Sequence, residues 1–268
     1  MSYNISKGII FILLFGVFQG LYAQSTPNLS AVPKKYRKKV ESLSHKLRKE
    51  GYNIVPLLQD DRFKIYGSIG DRFRNSAERT IPNLAQYKNR LHYHQKIGEG
   101  VNFVQKHEQQ LKEAQQKYDI SRFVIAAIIG IESHYGANAG SYNPFNVYVS
   151  MIAVGYRKHF ARAQLKQLLE FTSRTGMDIF SLKSSYAGAI SYAQFIPYSL
   201  NKWFVGDDIF DMHDNIMSVG NYLAYFKQKT GSLRKAILHY NTSKLYQGFV
   251  LDLADAIKQE YMTQQQTG

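Results

Sequence analysis

The sequence contains no cysteine, and this absence excludes several classes of protein. There can be no disulfide framework, no thiol nucleophile, no cysteine-ligated zinc and no cysteine that carries a lipid. Long hydrophobic runs are missing as well. The longest one, residues 8–18, is far short of the roughly 20 residues that cross a bilayer as a helix.

Acidic residues are scarce relative to basic ones. The 268 residues include 34 Lys and Arg but only 20 Asp and Glu, which gives a formal charge of +14. Such a protein is attracted to anionic material: phospholipid head groups, nucleic acid or the carboxylate-bearing bacterial wall. Charge alone leaves all three partners open.

Disorder is excluded as the main state, because 44% of the residues are hydrophobic and the chain has 20 Tyr and 16 Phe. The length suits one large domain or two small ones.

Residues 1–23 predict a signal peptide. Lys7 is the only charged residue before the apolar run from Gly8 to Phe18, and Ala23 offers a small residue at a cleavage point before Gln24. A short N-terminal core helix is the alternative interpretation. We therefore expect an exported, periplasmic protein without a stable membrane anchor.

Hydrophobic periodicity indicates a mostly α-helical fold, because no alternating strand pattern of useful length occurs. The composition of residues 24–33 predicts a polar N-terminal segment, and that of residues 51–85 predicts irregular chain with short helices. Amphipathic or apolar patterns predict helices over 34–50, 98–118, 123–131, 161–172, 215–229, 232–240 and 245–259.

A carboxylate ends the most apolar of these helices. The stretch Phe123–Ile131 is apolar on every face, which requires protein all around it, and Ser121 can cap its start. Glu132 follows, and Gly136 provides a stop. Burial and the negative end of the helix dipole both favour the protonated carboxyl group, so we expect a raised pKa for Glu132 and a general acid. A solvated glutamate at a helix end is the plainer alternative.

Two further segments carry polar and aromatic groups. In residues 184–197, Ser185 and Gln194 offer groups that can bind sugar hydroxyl and N-acetyl groups, and small residues around them allow close approach. In residues 240–246, tyrosines flank an asparagine. Each feature also has a purely structural interpretation. The small residues can allow close helix packing, Gln194 can cap a backbone group, and the tyrosines can be core residues whose hydroxyl groups reach solvent.

Together these segments resemble the lytic murein transglycosylases of the membrane-bound B type, in the lysozyme-like superfamily. Residues 130–136 (Gly-Ile-Glu-Ser-His-Tyr-Gly) are similar to that family's Gly-Val-Glu-Thr-Arg-Trp-Gly stretch. Residues 185–197 (Ser-Tyr-Ala-Gly-Ala-Ile-Ser-Tyr-Ala-Gln-Phe-Ile-Pro) resemble its Ser-Phe-Ala-Gly-Ala-Met-Gly-Tyr-Gly-Gln-Phe-Met-Pro. Asn221-Tyr222 fits the family's Asn-Tyr-Phe helix, and Tyr240-Asn241 with Tyr246 fits its Tyr-Asn motif.

The resemblance implies a lysozyme-like helical catalytic domain over residues 86–268, with an N-terminal accessory helical region over 24–85. It implies that Glu132 is the catalytic acid and base. It further implies that the following residues line a glycan cleft: Ser185, Gln194, Tyr222, Tyr240, Asn241 and Tyr246.

The implied activity is cleavage of the β-1,4 bond between N-acetylmuramic acid and N-acetylglucosamine in peptidoglycan, with 1,6-anhydromuramoyl ends as products. We expect peptidoglycan glycan strands as the partner, no nucleic acid, no cofactor and a monomer. Three alternatives remain: a hydrolytic muramidase, a non-catalytic peptidoglycan-binding protein, and an exported binder of nucleic acid or membrane that uses the basic face of residues 34–49.

The sequence departs from the family pattern at a calcium loop. The family commonly has an EF-hand-like loop between the second and third motifs, but here residues 198–220 are too short and lack the alternating ligand order. We therefore expect no bound metal. His134-Tyr135 also replaces the family's Arg-Trp, and the isolated pair His92 and His94 is expected at the surface.

Overall fold

The computed structural model describes residues 29–30, 32–76 and 80–267, and the signal peptide predicted over residues 1–23 lies outside them. The described chain is helical, with β-structure limited to isolated bridges. Its helices are α1 Lys34–Lys49, α2 Val55–Leu58, α3 Ile69–Arg74, α4 Leu84–Arg90, α5 Tyr93–Lys106, α6 Glu108–Tyr118, α7 Arg122–Ser133, α8 Pro144–Val154, α9 Lys158–Thr175, α10 Pro197–Trp203, α11 Met212–Thr230, α12 Leu233–Tyr240 and α13 Lys244–Thr267.

Two buried helices organise the core. In α7 the side chains from Phe123 to Ile129 are buried, and in α8 those from Phe145 to Ala153 are buried. Helix α7 packs against α5, α6, α11 and α13, whereas α8 packs against α1, α3 and α9. A helix that is apolar on all sides must be enclosed in this way. The prediction of a helix enclosed by protein is confirmed over Phe123–Ile129, and the helix ends at Ser133, one residue beyond Glu132.

Helix α1 covers α8 with one apolar stripe. Val40, Leu43 and Leu47 are buried, as their helical spacing predicts. The Lys39 ammonium group donates a hydrogen bond of 2.9 Å to the carbonyl oxygen of Ala153, in the last turn of α8. A cation at a helix C-terminus satisfies an orphan carbonyl and complements the dipole.

The single helix predicted over residues 98–118 is wrong in its bounds. Helix α5 starts earlier, at Tyr93, and the chain leaves the helical region at His107 before α6 begins at Glu108. The His107 ring packs against Phe103 with ring centroids 4.7 Å apart, which supports the break. Both helices keep an apolar stripe across the break, so periodicity alone did not reveal it.

Helix α8 is absent from the sequence-based prediction. It has no polar face, and a periodicity argument therefore finds nothing. A local signal was present all the same: Asn143 precedes Pro144, and Asn at the N-cap followed by Pro at the first helical position is a typical helix start. The Asn143 side chain accepts a hydrogen bond of 3.1 Å from the backbone amide of Asn146.

Residues 51–76 form short helices and turns, as the sequence predicts, and the structure places them against α8. The backbone amide of Tyr66 donates to Ser150 Oγ at 2.8 Å, and Asn146 Nδ2 donates to the carbonyl oxygen of Arg62 at 3.1 Å. Side chains from both sides of residue 85 join one hydrophobic cluster. The division into residues 24–85 and 86–268 stays a prediction.

No helix in the described ranges is both long enough and apolar enough to cross a membrane.

Candidate functional site

A pocket of about 220 Å³ opens where the end of α7 meets the chain before α8 and the segment 184–196. Glu132, Ser185 and Gln194 line it, so three predicted site residues come together. The remaining lining residues are Asn138, Gly140, Ser141, Tyr142 and Tyr186. These five were not predicted as site residues. Four of them lie in irregular chain outside the family motifs, whereas Tyr186 lies within the motif over residues 185–197 but was not assigned to the cleft.

Glu132 receives a hydrogen bond from a buried tyrosine. The hydroxyl group of Tyr246, in α13, donates to Glu132 Oε1 at 2.7 Å. Tyr246 is only 1% exposed. Burial, together with the negative charge of Glu132, raises the pKa of Tyr246 well above its usual value. Tyr246 therefore remains a hydrogen-bond donor at all physiological pH values and fixes one carboxyl oxygen. The raised pKa of Glu132 itself stays a prediction.

The chain turns sharply after the carboxylate. His134, Tyr135 and Gly136 have φ values of 53°, 58° and 90°, in the left-handed region that is costly for non-glycine residues. Ser133 Oγ donates to the carbonyl oxygen of Ile129 at 3.1 Å and accepts from the amide of Gly136 at 3.0 Å. These bonds hold the turn and thereby the end of α7.

A buried lysine anchors this turn from α5. Lys96 is 5% exposed, and its ammonium group donates to the carbonyl oxygen of Gly130 at 2.8 Å. The same group lies 3.0 Å from His134 Nδ1, and His134 Nε2 lies 3.3 Å from Glu99 Oε1. An ammonium group can only donate, so Nδ1 accepts and the proton of a neutral His134 is on Nε2. Burial lowers the pKa of Lys96, and the charge of Glu99 partly opposes that effect.

The turn after Glu132 requires a glycine at position 130, in α7. A Cβ atom on Gly130 would collide with the Tyr135 ring. The Tyr135 hydroxyl group, in turn, donates to the backbone carbonyl oxygen of Lys96 at 2.7 Å. The Gly-x-Glu spacing and the tyrosine are thus parts of one packing arrangement around the catalytic candidate.

The segment 184–196 is a compact series of turns. Tyr142 and Ser184 exchange backbone hydrogen bonds of 3.0 and 2.7 Å. Within the segment, the backbone amide of Ser185 donates to the carbonyl oxygen of Ala189, and the amide of Ile190 donates to that of Phe195. Gly140 permits the close approach at the pocket edge, because it has a φ of +94° and a Cβ atom there would collide with the Ser184 backbone.

Three side chains from three helices hold this segment. Tyr148 of α8 donates to the Gly188 carbonyl oxygen at 2.8 Å, and Asn215 of α11 accepts from the Ala193 amide at 3.0 Å. The Tyr240 hydroxyl group donates to the Ala193 carbonyl oxygen. Of these three, only Tyr240 was singled out from the sequence. A buried tyrosine and a buried asparagine within helices carry no local signal of such a role.

Gln194 contributes both to the pocket and to its own turn. Its φ is 51°, and its side-chain Nε2 donates to the Ser191 carbonyl oxygen at 2.9 Å. Its side-chain oxygen accepts no hydrogen bond from the described residues. The amide oxygen is therefore available to a ligand while the nitrogen stabilises the turn.

Three other predicted site residues lie behind the pocket lining. The Tyr222 hydroxyl group donates to the His239 carbonyl oxygen at 2.7 Å, and its ring is 4.9 Å from that of Tyr240. Asn241 directly follows the last residue of α12, and its side chain accepts a hydrogen bond from the Ser243 amide at 3.0 Å. Tyr246 acts on the pocket through Glu132. Direct contacts of Tyr222, Tyr240, Asn241 and Tyr246 with a glycan stay predictions.

The residues around α11 do not fit a calcium ion. Asp211, His213 and Asp214 have ligand atoms within 4.8 Å of one another. However, Asp211 already caps the amide of Asp214 at 2.9 Å, and Asp214 accepts the amides of Asp207 and Asp208 at 3.1 Å each. Calcium requires six to eight oxygen ligands, and a histidine nitrogen is not one of them.

Comparison with known proteins identifies the family. Residues 35–234 match the sequence profile described as "Transglycosylase SLT domain". The chain belongs to this family. The match begins in α1 and therefore includes most of the accessory region as well as the pocket.

Comparisons of this transglycosylase SLT chain with individual proteins agree with the family assignment. It is 28% identical to membrane-bound lytic murein transglycosylase B of Escherichia coli, over 54% of this chain and 42% of that protein. Its fold matches soluble lytic transglycosylase SltB1 of Pseudomonas aeruginosa with a TM-score of 0.72 at 24% identity, covering 83% and 99% of the two chains. It matches SltB3 of the same organism, in complex with NAG-anhNAM-pentapeptide, with a TM-score of 0.71 at 19% identity, covering 84% and 80%. The helical, lysozyme-like fold predicted from the sequence is confirmed.

Proposed function

We propose that the protein is a peptidoglycan lytic transglycosylase that cleaves the β-1,4 bond between N-acetylmuramic acid and N-acetylglucosamine. The observation that carries the proposal is that Glu132 is the one acidic residue among those lining the pocket. Most glycoside hydrolases flank the bond with two carboxylates, one of which activates water or attacks the sugar. A pocket with a single carboxylate suits a reaction in which the substrate supplies its own nucleophile.

In the proposed reaction, Glu132 acts first as the general acid and then as the general base. The protonated Glu132 donates its proton to the glycosidic oxygen as the bond to the muramoyl anomeric carbon breaks. The resulting carboxylate then accepts the proton of the muramoyl C6 hydroxyl group, whose oxygen forms a bond to that carbon. The products are a free N-acetylglucosamine hydroxyl group and a 1,6-anhydromuramoyl end, and no water is consumed. The substrate's 2-acetamido group assists at the anomeric carbon, as in other substrate-assisted enzymes.

The surrounding residues have distinct tasks in this scheme. Tyr246 holds Oε1 of Glu132 by the 2.7 Å hydrogen bond. Ser185 and Gln194, which line the pocket, bind sugar hydroxyl and N-acetyl groups. Tyr240 acts as a positioning residue, since it fixes the carbonyl of Ala193 next to Gln194.

Residues 24–85 are proposed to complete one side of the cleft. The Tyr66 ring lies 5.0 Å from that of Tyr142, which lines the pocket, and the Tyr66 hydroxyl group accepts from the Asn143 amide at 3.2 Å. The region thus supports a pocket wall directly. Export through removal of residues 1–23, into the periplasm, is proposed from the charge and apolar pattern of that stretch.

The test is mass spectrometry of purified murein digested with the protein. The proposal predicts anhydromuropeptides. Products heavier by one water would identify a hydrolytic muramidase, and unchanged murein with retained binding would identify a non-catalytic peptidoglycan-binding protein. Either result contradicts the proposal.

A further inference from the structure

A second pocket, of about 430 Å³, lies between α1 and the junction of α8 with α9. Every acidic or basic side chain that lines it is basic: Lys38, Lys39, Lys46, Lys158, His159 and Arg162. It is separate from the Glu132 pocket, because the two open at opposite ends of α8. That helix has 11 residues, and its rise is therefore about 16 Å.

Several of these cations are not neutralised by the protein. Arg162 pairs with Glu50, and Lys39 donates to the carbonyl oxygen of Ala153. In the part of the chain that the structure describes, neither Lys38, Lys46 nor Lys158 has a carboxylate partner. Positive charges gathered in a concave surface repel one another and focus the field on an incoming anion.

The N-terminus of α9 lies at this pocket as well. Helix α9 starts at the pocket with no side-chain cap and no acid in its first turn, although it is 18 residues long. Orphan N–H groups and the positive end of the dipole favour an anion there.

The geometry favours a phosphate over a carboxylate. The cationic groups converge from α1 on one wall and from α9 on the other. The oxygens of a phosphate point in tetrahedral directions and can meet both walls, whereas the two oxygens of a carboxylate lie on one side of its carbon. Lysine is also a common phosphate ligand as a point charge.

We propose that this pocket binds a phosphate group, either as a soluble phosphate compound or as a lipid headgroup. The proposal is independent of the activity at Glu132. Its floor includes Leu43 and Ile152, so an occupant can also have an apolar part next to the charge.

The experiment measures inorganic pyrophosphate binding to the full-length protein by calorimetry and by the shift in melting temperature. The test variant combines Lys38→Gln, Lys46→Gln and Lys158→Gln. The control combines Lys229→Gln, Lys235→Gln and Lys258→Gln, which are exposed, lie elsewhere and remove the same charge.

We expect the test variant to lose at least tenfold in affinity, the control less than twofold, and murein turnover to stay near wild type in both. Binding that falls equally in the two variants would mean a general charge effect and would overturn the proposal. So would the absence of pyrophosphate binding, or equal binding of citrate.

Vesicles then distinguish the two sources of phosphate. If phosphatidylglycerol vesicles bind wild type and pyrophosphate releases them, while phosphatidylcholine vesicles do not bind, the occupant is a lipid headgroup. If pyrophosphate binds at the pocket but the vesicles do not, it is a soluble phosphate.

Discussion

At the scale of single residues, the hydrogen bond of Tyr246 to Glu132 connects α13 to the catalytic candidate, 114 residues away in the sequence. Its hydrogen bond stabilises the ionised carboxylate more than the neutral acid. Tyr246→Phe should therefore move the alkaline limb of the pH–rate profile upward by about one unit, since such a bond contributes roughly 1–2 kcal/mol. Murein turnover measured between pH 5 and 9 checks this. An unchanged profile would mean that the bond does not act on the catalytic proton.

Gln194 combines a ligand-binding amide with a left-handed backbone, and two variants separate these roles. Gln194→Ala and Gln194→Gly both remove the amide, which should cost about 1–3 kcal/mol of transition-state stabilisation. Only glycine relieves the φ of 51°, so the glycine variant should be the more stable of the two. Turnover and thermal melts on both variants provide the measurement. Loss of stability with unchanged turnover per folded molecule would make Gln194 purely structural.

Lys96 should give stability an unusual pH dependence. Its pKa in the folded state is lowered from 10.5, so between the folded and unfolded values the unfolded chain binds more protons. Its contribution to stability therefore rises with pH as the pH approaches 10.5. Lys96→Met should remove this rise.

The measurement for Lys96 is the difference in unfolding free energy between wild type and variant over pH 7–10. Subtraction cancels the tyrosines, whose raised pKa values have the opposite effect. A difference that does not change with pH would contradict the burial of a titrating ammonium group.

At the scale of elements, Asn143 links the start of α8 to the chain beyond α9. Its Oδ1 caps the helix, while its Nδ2 donates to the Ile179 carbonyl oxygen at 2.8 Å. Asn143→Ser keeps a capping oxygen and loses the donor, whereas Asn143→Ala loses both. The cap contributes about 1 kcal/mol. Alanine should thus lower the melting temperature by about 2–4 °C more than serine. Equal melting temperatures would mean that the cap contributes nothing.

The elements also show what the sequence could predict. An amphipathic helix such as α1 reveals itself because Val40, Leu43 and Leu47 share a face, and these residues are buried. Helix α7 was predicted because its apolar run ends in a carboxylate and a glycine. The break at His107 and the whole of α8 were missed, because the apolar stripe continues across the break and α8 has no polar face, so hydrophobic periodicity marks neither of them.

For the molecule as a whole, the family motifs located the site but, among its supporting residues, marked Tyr240 and Tyr246 and not the others. Glu132, Ser185 and Gln194 meet in one pocket because two separate stretches of chain carry them there. Lys96, Tyr148 and Asn215 hold that arrangement through buried hydrogen bonds to backbone groups. Such contacts join residues far apart in the sequence and leave no local pattern, so they could not be predicted.

The most direct test of the proposed function is murein turnover by Glu132→Gln, with Glu41→Gln as a control at an exposed acid of α1. Glutamine keeps the shape of the side chain but cannot transfer a proton. A general acid and base contributes about 10²–10⁴-fold. We therefore expect release of anhydromuropeptides to fall at least 100-fold in Glu132→Gln, and to stay near wild type in Glu41→Gln, with unchanged melting temperatures in both. Wild-type release by a folded Glu132→Gln protein would contradict the account.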